Sequence, residues 1–383
     1  FGEGPAHHAC RVAAAPSHRT ADRACGFADR RPTLTRRPKT AGRWLLRGLA
    51  GITQHAARVA GRSVRQAEQQ RLKRRAAETA LRGAGQFLPG MVLGPRGVRR
   101  YRLYLPPDSR EGGPLPLLVM LHGCDQDAAS FAASTRMNRV AERERFAVLY
   151  PEQDRISNLH GCWHWFDLDS GRAQAEATSV LNAIDRVCRL HPVDPTAVAI
   201  AGLSAGASLA ALLAVAHPAR FCAVALHSGV PPGAAHSPAG ALRAMRGRAR
   251  SVSVPAPDAT ADGASPWPPL LVLHGSRDVV VAPSNGRETA LRWAQACGAT
   301  AQPPRHEQRG QRHALCITDF NVGRRTRVTL VEVVGLGHAW SGGAARQPYG
   351  DAQGPDASRR VWRFVATQLR EGRERVARPR DQS

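Results

Sequence analysis

Lysine is almost missing from this chain of 383 residues: Lys39 and Lys73 are its only two, so arginine supplies nearly all of the 54 basic side chains. That rules out lysine-rich tracts as the origin of the formal charge of +24. The balance of arginine and alanine over lysine and isoleucine fits a GC-rich coding sequence better than a dedicated polyanion surface. Aromatic residues are scarce at 5%, so Leu, Val and Ala must fill the core. No window reaches the roughly 18 consecutive apolar residues of a membrane-spanning helix. The eight cysteines include no C-x-x-C pair, which argues against a structural zinc site and, at this density, against a disulfide-dependent scaffold. No basic start followed by an apolar run and a small-residue cleavage site marks a secretory signal. No metal or other cofactor is expected.

What charge there is lies unevenly. Residues 1–100 hold 21 Lys/Arg against 5 Asp/Glu, a net of +16, and the remaining 283 residues share a net of +8. Residues 1–40 show no apolar periodicity and read as a disordered or non-native leader. Residues 41–90 read as a basic helical extension. Within 41–83, Trp44, Leu45, Leu49, Ile52, Ala56, Val59 and Val64 recur at three- and four-residue steps among arginines. Such a segment packs on a neighbouring domain, makes a weak contact with a membrane or polymer surface, or is a partly disordered arm. Residues 371–383 read as a basic tail.

Between 91 and 370 the pattern becomes that of an α/β domain. Arg100 to Leu105 alternates and stops at Pro106-Pro107; Leu115 to Leu121 is a short apolar run entering a His-Gly turn. A helix is expected over Ala129 to Arg145, then a strand to Tyr150, a long helix over Ala173 to Leu190, and a strand from Ala197 to Ala201. Further strands are expected at Phe221 to Leu226, Pro269 to Leu273 and Arg327 to Val334, with helices at Ala207–Ala216, Gly286–Cys297 and Ser358–Leu369. Residues 231–268 read as a long loop or cap insertion. Short apolar strands alternating with helices imply an α/β fold with a mostly parallel sheet covered on both faces, and the G-x-S-x-G turn between the strand to Ala201 and the helix from Ala207 makes it that of an α/β-hydrolase.

The chemistry centres on Gly202-Leu203-Ser204-Ala205-Gly206, a G-x-S-x-G pentapeptide between an apolar strand and an Ala/Leu helix. A strand–turn–helix of this kind holds its serine on a strained elbow and points the helix N-terminus at the oxyanion formed on attack. The elbow requires an acid and then a histidine, each after a later strand. Asp278 stands in the turn beyond Leu270–Leu273, whereas Asp258, Asp262 and Asp319 follow no such strand. His338 sits in Gly335-Leu336-Gly337-His338 beyond the strand ending at Val334; His306 and His313 do not follow a strand in this way. Ser204, Asp278 and His338 are therefore the expected nucleophile, orienting acid and base. The oxyanion hole is expected from the amides of Ala205 and of Gly123 or Cys124, after the His122-Gly123 turn.

With these residues placed, the chain resembles the poly(3-hydroxybutyrate) depolymerase family of esterases over about residues 95–370. The matching stretches are Leu121-His122-Gly123-Cys124 with Gln126, Thr135 to Asn138, Tyr150 to Gln153, Cys162 to Phe166, Ala201 to Gly206, His227-Ser228-Gly229, Gly335 to Gly343 and Gly354 to Ser358. The resemblance implies serine-dependent hydrolysis of hydroxyalkanoate polyesters or oligomers, with Ser204, Asp278 and His338 as triad, and an extracellular setting; the missing signal leaves the cytoplasm open. It also implies that Cys124 and Cys162, in two loops near the site, pair. Trp163, Trp165 and Trp340 are expected to line an apolar groove for the acyl chain. Two departures stand out: His164 replaces the usual Asn between the tryptophans, and Ala282 replaces the usual His before Pro283.

Two alternatives share the sequence. One keeps the mechanism and changes the substrate to acetylated or feruloylated polysaccharide. The other is a non-catalytic, arginine-rich polyanion binder on a hydrolase scaffold. The expected partner is an ester or polyester, with no specific nucleic acid.

Overall fold

The computed structural model describes residues 83–156, 158–248 and 267–377, with side chains to 374. The expected leader (1–40), nearly all of the basic extension (41–90) and residues 378–383 of the expected tail lie outside the described residues.

Eleven strands form one sheet: β1 (Gln86–Gly94), β2 (Gly97–Leu105), β3 (Leu115–Leu121), β4 (Ala147–Pro151), β5 (Val193–Leu203), β6 (Ala223–His227), β7 (Leu270–Gly275), β8 (Thr300–Ala301), β9 (Arg305–Glu307), β10 (Leu315–Val322) and β11 (Arg325–Val333). Their order is β1-β2-β4-β3-β5-β6-β7-β11-β10-β8, with β9 paired to β10. The six central strands from β4 to β11 run parallel. Antiparallel pairs close both edges. The sheet thus begins at Gln86, five residues before the boundary expected at 91.

Seven helices accompany it among the described residues: α1 (Ala128–Thr135), α2 (Met137–Glu144), α3 (Arg172–Leu190), α4 (Ala205–Ala216), α5 (Pro238–Met245), α6 (Ser284–Ala296) and α7 (Ala357–Ala377). The central strands are apolar throughout because both faces are covered. Along β3, Leu117, Val119 and Leu121 pack with α3, α4 and α6, while Leu118 and Met120 pack with α1, α2 and α7. Each buried Leu or Val side chain contributes about 1.5–3 kcal/mol of transfer free energy, so this two-sided burial dominates the stability of the sheet.

The single helix expected over Ala129–Arg145 is two helices. Arg136 takes a left-handed conformation (φ 55°), and its guanidinium donates to the carbonyls of Gly342 and Gly343. The residues expected to be a loop or cap insertion include α5, started by the Ser237 hydroxyl accepting from Gly240 N and by Pro238 at its first position. The closing helix runs on to Ala377, past the expected boundary at 370.

Candidate active site

Ser204 stands between the end of β5 and the start of α4 with φ 55° and ψ −121°, a strained conformation for a residue with a side chain. The elbow closes because two neighbours are glycine. A Cβ on Gly202 would lie 2.4 Å from the backbone carbon of Gly206, and one on Gly206 would lie 2.2 Å from the carbonyl oxygen of Leu121. The Ser204 amide donates to the carbonyl of His227 at 2.9 Å, pinning the elbow to the end of β6.

Asp278 lies in the turn after β7 with a fully buried side chain. Its Oδ1 accepts from the amides of Val280 (3.0 Å) and Val281 (2.8 Å). Its Oδ2 lies 2.8 Å from His338 Nδ1 and 3.5 Å from His274 Nε2. Burial alone would push this carboxyl up. Hydrogen bonds from His274 and His338, the charge at His338 and the Val281 amide outweigh it and hold Asp278 well below the usual carboxylate range. His338 follows β11, and its loop is tied to the acid's turn: Ser276 N donates to Val333 O, Arg277 N to Leu336 O (both 2.9 Å), and Gly335 N to Ser276 Oγ (2.9 Å). With Nδ1–H donated to Asp278, Nε2 carries the lone pair a base needs. Ser204 and His338 share no hydrogen bond among the described residues, a contact that often tightens only when substrate binds.

The turn after β3 is built around His122. Its Nδ1–H donates to Gly123 O (2.8 Å), its Nε2 accepts from Gln153 N (3.0 Å), and its carbonyl accepts from Trp163 Nε1 (3.0 Å). The ring is wholly buried, and desolvation pushes it down to about 4, so it stays neutral. Of the two amides expected here, that of Gly123 is engaged with Gln126 Oε1 at 3.1 Å. This leaves Cys124 as the candidate donor on this loop, with Ala205 the candidate at the open first turn of α4: one follows β3 and the other follows β5. Cys124 and Cys162 are joined by a disulfide, which ties this turn to the Trp163–Phe166 segment.

Two of the three tryptophans expected at the groove, Trp163 and Trp340, are packed into the fold. Trp163 and Trp340 are buried, at 0% and 1% exposure, and Trp165 is close behind at 9%. Trp163 packs against His122 and under Arg99; Trp340 stacks on His227 and donates to Ser358 Oγ at 3.0 Å. An indole NH with a fixed internal partner belongs to the fold and not to the acyl chain. His164, the departure between the tryptophans, pairs through Nδ1 with the buried Glu176 at 2.6 Å, and its amide donates to the same carboxylate at 2.8 Å. Ala282, the second departure, donates its amide to Met245 O at 2.7 Å, joining the acid's loop to α5.

Two histidines escape a reading by chain order. His227 is fully buried, and burial drives its ring down to about 3. Its Nε2 accepts from Ser341 N (3.2 Å) while its own carbonyl holds Ser204 N, so it links the elbow to the loop carrying His338. His274 donates Nε2–H to Val281 O at 2.9 Å and flanks Asp278. Each sits at the end of an apolar strand, and His227 also falls in the His227-Ser228-Gly229 stretch of the resemblance, but neither signal assigns it a partner.

A strained serine elbow at the C-terminal edge of a parallel sheet, with an Asp–His pair beyond the ends of two later strands, β7 and β11, defines an α/β-hydrolase. The profile of the family described as "Esterase PHB depolymerase" matches residues 99–302, and the chain belongs to that family. Among curated relatives, the poly(3-hydroxyalkanoate) depolymerase C of Paucimonas lemoignei is 34% identical over 193 residues, covering 49% of this chain and 46% of that protein. Acetylxylan esterase A of Emericella nidulans is 26% identical over 206 residues, covering 50% of this chain and 66% of that protein. The match thus spans about half of the first relative's length and just under two thirds of the second's. An acetyl xylan esterase structure from Aspergillus awamori has the same fold, with a TM-score of 0.52 at 20% identity, covering 66% of this chain and 94% of that one.

Proposed function

We propose that the chain is a serine esterase acting on poly- or oligo(3-hydroxyalkanoates) or related short-chain esters. The observation that carries this is the Asp278–His338 hydrogen bond, at 2.8 Å, beside a serine held on a strained elbow. Ser204 is the nucleophile. His338 Nε2 takes its proton during attack on the ester carbonyl and then returns it to the leaving alcohol, while Asp278 fixes the ring and stabilises its charged form. The amides of Ala205 and Cys124 receive the oxyanion. Water, activated by the same ring, then releases the acid from the acyl-enzyme.

The hydroxyalkanoate class is favoured over acetylated polysaccharide because the matching family is described by that polymer and the relative at 34% identity carries that activity in its name. The disulfide beside the site favours an oxidising, extracellular compartment. No described helix is long and apolar enough to cross a membrane.

The deciding experiment is a substrate panel of p-nitrophenyl butyrate, hydroxybutyrate oligomers, solid polymer and acetylxylan, run with wild type and Ser204→Ala. The wild type is expected to turn over the butyrate ester and the oligomers, with Ser204→Ala reduced by about 10⁴-fold or more. A folded wild type with no turnover would point to the non-catalytic binder, and a preference for acetylxylan would move the substrate class.

A further inference from the structure

A cavity of about 510 Å³ lies where the α1–α2 junction, the β9–β10 segment and the start of α7 converge, and none of Ser204, Asp278 and His338 lines it. Eight arginines line it against only Glu307 and Asp356, a formal excess of six positive charges. The chain's general wealth of arginine does not account for this. A second and larger concavity, about 840 Å³, has three arginines against two carboxylates.

Both carboxylates of the first cavity are already taken. Glu307 Oε2 lies 2.8 Å from Arg360 and Asp356 Oδ2 lies 3.4 Å from Arg359. The hydrogen bond from Arg360 holds Glu307 below its ordinary value against a smaller burial penalty. Arg139, Arg309 and Arg363 form no ion pair among the described residues. A guanidinium cannot relieve such crowding by losing its proton. Like charges on a concave wall instead sum to a focused positive potential that a counter-anion relieves. Guanidinium forks match the paired oxygens of a phosphoryl group, each contact being a charge-assisted hydrogen bond. The volume falls within the roughly 300–1,000 Å³ of small-molecule sites, which favours a compact anion over a polymer.

We propose that this cavity is a binding site for a small soluble oligophosphate carrying three or more negative charges, separate from the ester-hydrolysing site. The test is isothermal titration of the full-length chain with inorganic tripolyphosphate in 150 mM salt. One saturable site per chain is expected, weakening as salt rises. The variant Arg139→Gln/Arg309→Gln/Arg363→Gln is expected to bind at least tenfold more weakly. Arg100→Gln/Arg186→Gln, in the other concavity, is expected to bind as wild type does. Unchanged ester turnover in both variants shows that they are folded. No saturable binding by wild type, or triple-variant affinity within twofold of it, would overturn the proposal and leave any residual binding to arginines elsewhere in the chain.

Discussion

His122 and His227 each give one ring nitrogen to an acceptor and use the other to accept a backbone amide, so both rings are neutral in the folded protein. Burial lowers them to about 4 and about 3, against about 6.5 for a free imidazole. The sign follows from linkage. The unfolded chain takes up protons below about pH 6.5 that the folded chain refuses, so this stability is present above 6.5 and drains away as pH falls toward the folded values. Between pH 7 and pH 5 each ring should cost on the order of 2 kcal/mol of unfolding free energy. Urea denaturation at the two pH values should show the fall, and His227→Asn should remove about half of it; an equal fall in the variant would contradict the assignment. These roles were hidden in the sequence because the partners are remote: His227 meets Ser341, 114 positions away. The placement of Ser204, Asp278 and His338 is legible because each follows an apolar strand, in the order that an elbow imposes. The packing of Trp163 and Trp340 is not legible, because sequence reports neither burial nor what an indole NH bonds.

Among the elements, the turn after β3 and the Trp163–Phe166 segment are joined by one covalent tie. The Cys124–Cys162 bond closes a loop of 38 residues, which by loop entropy stabilises the fold by about 4 kcal/mol. Cys124→Ser/Cys162→Ser should therefore lower the unfolding free energy by about 2–4 kcal/mol and reduce kcat/KM, since the candidate oxyanion amide belongs to Cys124. Denaturation and ester kinetics check both, and a variant with unchanged kcat/KM would separate the disulfide from the site. The central strands were readable as continuous apolar runs because they are buried on both faces. The edge strands were not: β10 mixes polar and apolar residues without a regular period, and β1 carries Pro89 and two glycines. The break at Arg136 is set by the Gly342 and Gly343 carbonyls, over 200 positions away, and leaves no mark on local periodicity.

Over the whole molecule, composition announced a basic protein without saying where the charge would act. Two thirds of the net charge lies in residues 1–100, most of them outside the described residues, and a second concentration appears only once the fold gathers eight arginines around one cavity. The catalytic reading depends on neither; it depends on a single nucleophile. The most direct test is to inactivate the full-length chain with a fluorophosphonate ester and map the adduct by peptide mass spectrometry. One phosphonyl group per chain is expected, on the peptide carrying Ser204, with turnover lost in proportion to labelling and no label in Ser204→Ala. Labelling of any other residue, or full turnover in a chain labelled at Ser204, would contradict the catalytic reading.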